Sequence, residues 1–196
     1  ARRVDPRVRQ NPRFYDVDRL KAEGRRMLGR YPRNRLYRHL SHCALTYNCL
    51  AAKNLFMQRW EAPLPTARSC NARCIGCLSD QESDCVASHS RIAFKPDADE
   101  IAEVGIHHLR RAREAMVSFG QGCEGEPLLE TAPIARAVRL MRRNVSRGTI
   151  HMNTNASMPV NIKKLCEAGI DSFRVSLNSP DKKYYESYFR PLSYRF

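Results

Sequence analysis

The sequence lacks any long apolar stretch. No segment approaches the roughly 20 apolar residues that a membrane-spanning helix needs. The first residues carry positive charge, but no apolar run follows them as it would in a secretory signal. We therefore expect neither a membrane partner nor secretion, and we predict a cytoplasmic protein.

Acidic residues are scarce relative to basic ones. Lys and Arg number 34 against 20 Asp and Glu, which gives a formal net charge of +14. A balance of this kind is typical of proteins that bind a polyanion such as RNA or DNA. No motif of combined basic and aromatic residues accompanies the charge, so a solvated basic surface is the simpler interpretation. A nucleic-acid partner stays open.

Closely spaced cysteines occur in one place only. Of the eight cysteines, Cys70, Cys74 and Cys77 alone are tightly spaced, in the pattern C-x3-C-x2-C. Without a secretory signal, such cysteines fit a metal site in a reducing compartment better than a disulfide framework. Converging thiolates are soft ligands that suit iron–sulfur clusters or zinc. Three of them leave one iron of a four-iron cluster open to another ligand.

Zinc is the alternative. Cys85 or His89 could complete a four-ligand zinc site with the three cysteines, and the basic surface would then make the chain a nucleic-acid-binding module. Zinc sites usually pair two short ligand clusters, and this sequence has one.

The chain after the cysteines alternates between strand and helix. Short apolar runs predict strands, and segments with helical spacing and start signals lie between them. The strands are predicted at Ala115–Phe119, at 149–153 and at 172–177, and the helices follow Pro96, Pro127, Asn161 and Asp181. This order predicts an α/β fold with parallel strands joined by crossovers.

The first 60 residues are predicted to form a separate basic N-terminal arm and helical segment. A short helix is expected from Asp18 to Arg30, and the remainder up to residue 40 is expected to be extended and partly disordered. Residues 61–196 are predicted to form the core domain.

Small and polar residues end each predicted strand. They are Gly120 to Pro127 after the first, Asn153 and Asn155 at the second, and Ser176 and Asn178 at the third. The carboxyl ends of parallel strands meet at one edge, where ligands bind. These groups suit a polar ligand with an amine, a carboxylate and a ribose, although turns and caps use the same residues.

From about Pro63 to the end, the sequence resembles the radical SAM superfamily. The resemblance rests on the cysteine spacing and on Gly125-Glu126-Pro127, which is similar to the family's G-G-E-P segment with Glu124 at its first position. It implies that Cys70, Cys74 and Cys77 bind a [4Fe-4S] cluster whose fourth iron is chelated by S-adenosylmethionine. It also implies which residues contact that cofactor: Gly125 and Glu126 near its amine, and Asn153, Asn155, Ser176 and Asn178 near its carboxylate and ribose.

The resemblance also implies a fold and an activity. The expected fold is a partial (β/α) TIM-like barrel with the Arg-rich arm attached. The expected activity is reductive cleavage of S-adenosylmethionine to a 5′-deoxyadenosyl radical that acts on an unknown substrate. A reductant such as flavodoxin or ferredoxin would supply the electron.

Two features depart from the family pattern. An aromatic residue that touches adenine often precedes the third cysteine, and here that residue is Gly76. The sequence also shows fewer strand–helix units than the family's barrel and lacks its adenine-binding segment. We therefore expect residues beyond Phe196 to complete the barrel. Otherwise residues 1–60 or a second copy of the chain should cover the open edge strand.

Overall fold

A computed structural model describes residues 11–81 and 86–196, so the alternative zinc ligand Cys85 lies outside the described residues. Within these ranges three α-helices come first, and from β1 onward strands and helices follow the predicted alternation. They are helices α1 (Val17–Arg30), α2 (Arg35–Leu45) and α3 (Leu50–Met57), strand β1 (Arg59–Pro63), helix α4 (Ala98–Arg111), strand β2 (Arg113–Phe119), helix α5 (Thr131–Asn144), strand β3 (Thr149–Thr154), helix α6 (Pro159–Ala168), strand β4 (Ser172–Val175) and helix α7 (Lys182–Phe189).

The four strands form one sheet in the order β1-β2-β3-β4, and every neighbouring pair is parallel. Side chains alternate between its faces. Ala62, Val117 and Ile150 lie on the face that packs against the helices, and all three are fully buried. The fold is therefore α/β, with a parallel sheet consistent with part of a β/α barrel. The three predicted strands are confirmed, and β1 adds a strand where only an extended approach was expected.

Local signals in the sequence explain where the helices begin and end. Asp97 caps α4 by accepting hydrogen bonds from Asp99 N and Glu100 N at 2.9 and 2.8 Å, and the Glu100 side chain accepts from Asp97 N at 3.0 Å. Asp181 caps α7, and Gly169 ends α6 with φ 111°, both as predicted. None of the helices in the described ranges is long and apolar enough to cross a membrane.

The N-terminal segment is more ordered than the sequence suggested. The helix expected over residues 18–30 is confirmed as α1. The part of the expected arm at residues 1–10 lies outside the described residues. An extended chain up to residue 40 is wrong, because α2 begins at Arg35. Asn34 caps α2 by accepting from Tyr37 N at 3.1 Å. Leu36, Tyr37 and Leu40 are fully buried on one face of that helix. Burial of this face outweighs the basic composition that suggested an arm.

The N-terminal helices share the core of the rest of the chain. Leu20 and Met27 of α1 are almost completely buried in the same hydrophobic cluster as the sheet residues. Helix α3 packs against β1, and α2 contacts α4. The described part of residues 1–60 therefore covers the β1 end of the sheet. At the other end, Val175 and Leu177 are more than half exposed.

Candidate metal and cofactor site

The three closely spaced cysteines lie on the loop that follows β1. Leu64 N donates to Ser118 O at 2.8 Å, so the chain stays beside β2 as it leaves the strand. Cys70, Cys74 and Cys77 are free, partly buried thiols. Burial raises the pKa of Cys70, and burial together with the neighbouring Cys70 and Cys77 raises the pKa of Cys74 to about 11. The thiols are thus close enough to influence one another.

The donor chemistry of this loop fits an iron–sulfur cluster. Three soft ligands on one short loop can bind three irons and leave a fourth without a protein ligand. Across residues 11–81 and 86–196, no group of three or more His, Cys, Asp or Glu side chains, the three cysteines included, lies in an arrangement that could hold a metal ion. His89, the alternative zinc ligand, has its Nδ1 3.0 Å from Ser88 Oγ.

Gly125 brings the predicted cofactor segment against the cysteine loop. Gly125 N donates to Ala67 O at 2.7 Å, and Glu126 N donates to Ser69 O at 3.1 Å. A Cβ atom at Gly125 would overlap the carbonyl group of Ser69 and lie 3.0 Å from Cys70 N. Glycine is therefore needed at this position, because the two backbones touch directly before the first cysteine.

Glu124 joins the same loop to the end of β2. Its carboxylate accepts hydrogen bonds from Thr66 N at 2.7 Å, Thr66 Oγ1 at 3.0 Å, Ala67 N at 2.9 Å, Gly120 N at 2.5 Å and Gln121 N at 3.2 Å. Burial raises the pKa of this carboxyl to about 7, and the hydrogen bonds act in the opposite direction. In the sequence, Glu124 stands out only as a departure from G-G-E-P, and nothing local indicates this structural role.

Glu126 organises the end of β3. One carboxylate oxygen accepts from Thr154 Oγ1 at 2.5 Å and Leu128 N at 3.1 Å, and the other accepts from Asn155 N at 2.9 Å. The side chain is 3% exposed, and burial raises its pKa. The carboxylate thus holds the strand end in place, and its oxygens are occupied by protein donors.

Two asparagines join the cysteine loop to β3. Asn155 Nδ2 donates to Asn71 Oδ1 at 2.7 Å, and Asn71 Nδ2 donates to Ser157 Oγ at 2.8 Å. Asn71 directly follows Cys70, so this pair fixes the first cysteine relative to the sheet. The sequence offered one weak signal for Asn71, an amide side chain inside the cysteine motif.

Asn153 lies on the face of the sheet that points away from the core. Its Nδ2 donates to Phe119 O at 3.2 Å, and its Oδ1 lies 3.2 Å from His151 Nε2. It lines a polar groove of about 240 Å³ together with Glu61, Met116, Gln121, His151 and Arg174. Both signs of charge are present here, so the groove can accept a polar ligand.

Ser176 and Asn178 lie at the end of β4 with exposed side chains. Ser176 N donates to Thr154 O at 2.9 Å, and Asn178 Nδ2 donates weakly to Tyr184 O at 3.4 Å. The structure thus brings Gly125, Glu126 and Asn155 to the cysteine loop and places Asn153 in the groove. Ser176 and Asn178 remain on an open strand end.

The last residues of α7 and the segment after them cross the cysteine loop. Ile75 N donates to Tyr188 O at 3.0 Å, Arg73 N donates to Phe189 O at 3.1 Å, and Leu192 N donates to Asn71 O at 2.9 Å. The Tyr188 hydroxyl fills the space that a Cβ atom at Gly76 would need. An aromatic ring therefore reaches Gly76 from α7, although the residue directly before the third cysteine is not aromatic.

Comparison with known proteins agrees with this geometry. A search of curated proteins found no match. The family profile described as the Radical SAM superfamily matches residues 64–195, which is more than half of the chain. The matched region begins where the chain leaves β1 and contains the cysteine loop, the Gly125–Glu126 segment and the ends of β2 to β4. The chain therefore belongs to the radical SAM superfamily.

Proposed function

We propose that this chain is a radical SAM enzyme that binds a [4Fe-4S] cluster through Cys70, Cys74 and Cys77. The observation that carries the proposal is the backbone contact of Gly125 and Glu126 with Ala67 and Ser69. It sets the three thiols at the carboxyl edge of a parallel sheet, where α/β folds bind ligands.

The cluster, when bound, supplies the electron that cleaves S-adenosylmethionine to methionine and a 5′-deoxyadenosyl radical. The chain's own residues bind and orient. Asn71 and Asn155 hold the cysteine loop against β3, and Glu124 holds the same loop against β2. Gly125, Asn153, Asn155, Ser176 and Asn178 are proposed to contact the cofactor, and Glu126 to hold the β3 end through its hydrogen bonds with Thr154 and Asn155.

The substrate and the electron donor are proposed by chemical class only. Radical SAM proteins usually need a reductant, and a one-electron protein such as flavodoxin or ferredoxin would serve this chain. The groove beside Asn153, His151 and Arg174 is polar and carries both charges. It suits a polar substrate rather than an apolar one.

Metal analysis of anaerobically reconstituted protein tests the proposal. Alanine at Cys70, Cys74 or Cys77 should abolish iron and sulfide binding. Cys166→Ala is the matched control, because Cys166 is an exposed thiol on α6 and should leave the iron content unchanged. On the loaded wild type, calorimetry should detect S-adenosylmethionine, and Asn178→Ala should weaken binding without loss of iron.

Two results would contradict the proposal. Zinc without sulfide in the purified protein would favour the structural zinc site. Equal loss of metal in the Cys85 variant and in the three loop variants would favour a four-cysteine site over an open iron.

A further inference from the structure

Arg91 makes a direct contact with the third cysteine of the loop. Its Nη2 lies 3.4 Å from Cys77 Sγ, its Nε donates to Ser79 Oγ at 3.2 Å, and its Nη1 lies 3.0 Å from Asp80 Oδ2. All three guanidinium nitrogens therefore engage the short segment that starts at Cys77. Neither the spacing of the cysteines nor the family pattern marks this arginine.

Arg91 is held by its own side-chain contacts and by the backbone of the next residue. The next residue, Ile92, is 1% exposed and donates its N–H to Cys123 O at 2.8 Å. The Arg91 side chain is itself only 17% exposed, whereas that of Asp80 is 60% exposed. A partly buried positive charge is thus held at the sulfur, and its counter-charge lies nearer the solvent.

A cavity of about 500 Å³ opens beside this contact. Its lining includes Cys74, Cys77, Arg91 and Asp80. Within the described residues, the charged side chains that line this cavity with Cys77 are Arg91, Asp80, Arg73 and Arg190. Of these groups, Arg91 places its Nη2 within 3.4 Å of Cys77 Sγ.

The chemistry of a cluster at this position follows from charge. One-electron reduction adds one negative charge to the cluster and removes one electron from the donor. A hydrogen bond to a ligating sulfur and a nearby positive charge both stabilise the reduced form more than the oxidised form. We propose that Arg91 is a positioning residue that raises the reduction potential of the cluster by its contact with Cys77, an inference that rests on the proposed function.

The test is a redox titration of reconstituted protein followed by electron paramagnetic resonance. Arg91→Gln keeps a hydrogen-bond donor but removes the charge. It should lower the equilibrium constant for reduction about tenfold, which for a one-electron couple is a shift of 59 mV to more negative potential. Arg91→Lys keeps the charge and should shift the potential less. Asp80→Asn removes the counter-charge and should shift it in the positive direction.

Arg136→Gln is the matched control. Arg136 is 67% exposed and pairs with Asp99, so its loss should leave the potential unchanged. A fully loaded Arg91→Gln protein with the wild-type potential would overturn the inference. If that variant does not load, unshifted potentials in both Arg91→Lys and Asp80→Asn would overturn it instead. A wild type that binds no iron is a different failure, which refutes the proposed function and the inference with it.

Discussion

The pair formed by Asn71 and Asn155 offers a sharp test of how the cysteine loop is attached to the sheet. Ser157 N, which can only donate, lies 3.0 Å from Asn155 Oδ1. That contact fixes which way the Asn155 amide points, so its Nδ2 must face Asn71 at 2.7 Å. The facing atom of Asn71 is therefore an oxygen, and one amide donor joins the two side chains.

A single aspartate at either position should be tolerated. In Asn71→Asp, Asn155 Nδ2 donates to the new carboxylate. In Asn155→Asp, the Asn71 amide can turn over, since the Ser157 hydroxyl can donate as well as accept. The hydrogen bond between the two side chains is thus kept in each single variant, whose cost is the burial of one carboxylate, about 1–3 kcal/mol at a position where Asn71 is 5% exposed.

The double variant is different, because it leaves two carboxylates face to face and no donor between them. At a separation of about 4 Å and an effective dielectric constant of about 20, their repulsion is about 4 kcal/mol. The lost hydrogen bond adds about 1 kcal/mol. Asn71 is 5% exposed, so water cannot readily relieve the contact. We expect a coupling energy of about 5 kcal/mol.

Urea unfolding of the two single variants and the double variant measures this coupling as a double-mutant cycle. The coupling should be large at pH 8 and much smaller at pH 5, where one carboxyl of the pair takes up a proton. Asn71→Asp combined with Asn144→Asp is the control, because Asn144 ends α5 and should give additive effects. Additive effects in the Asn71 and Asn155 pair at pH 8 would refute the contact and the attachment derived from it.

Two further predictions concern the same loop. Gly76→Ala should destabilise the wild type by about 1 kcal/mol, because its Cβ would overlap the Tyr188 hydroxyl. In a Tyr188→Phe background the nearest ring carbon is 3.3 Å away, so the same change should be neutral or stabilising. Urea unfolding measures both effects, and an equal loss of stability in both backgrounds would contradict the contact. Burial raises the pKa of Glu124 in the native state from 4.5 to about 7. Between these two values the native state binds more protons than the unfolded state. The contribution of this carboxyl to stability should therefore fall as the pH rises through that range. A titration of the Glu124 carboxyl carbon by nuclear magnetic resonance should show a midpoint near pH 7, and a midpoint below 4.5 would mean that its five hydrogen-bond donors outweigh burial.

The elements that the sequence predicted correctly are those with a local signal. The run from Ala115 to Phe119 is apolar except for Ser118 and lies within β2. Asp181 caps α7, and Gly169 closes α6. Helix α2 was missed although it has local signals, namely Asn34 as its N-cap and Leu36, Leu40 and Cys43 at helical spacing. The arginines between them and the preceding Pro32 suggested an arm, and packing against α3 and α4 shows the helix.

The same distinction applies to the candidate site. The spacing of the cysteines is a local pattern, so the loop could be identified from the sequence. Glu124 meets Thr66 across 58 residues of chain, and Asn155 meets Asn71 across 84. Tyr188 also reaches the loop from a distant segment, and Arg91 returns to it 14 residues after Cys77. No spacing rule connects such residues, because the fold alone determines which of them meet.

The fold also changes how the basic composition is interpreted. Several arginines bind carbonyl oxygens at the carboxyl ends of helices, where the last turn leaves acceptors unpaired. Arg147 donates to Ala112 O after α4 at 2.7 Å, Arg110 donates to Asn144 O at the end of α5 at 3.2 Å, and Arg142 donates to Gly169 O after α6 at 3.0 Å. A guanidinium group suits this task because it carries five donors and a charge that the helix dipole favours at that end.

These contacts use the donors of the arginines without neutralising their charge, so the formal net charge of +14 remains. They do, however, show that these arginines stabilise the fold by pairing carbonyl oxygens at the helix ends. A high count of basic residues is therefore weaker support for a nucleic-acid partner than composition alone suggested. The part of the surplus that caps helices would be needed whether or not a polyanion binds.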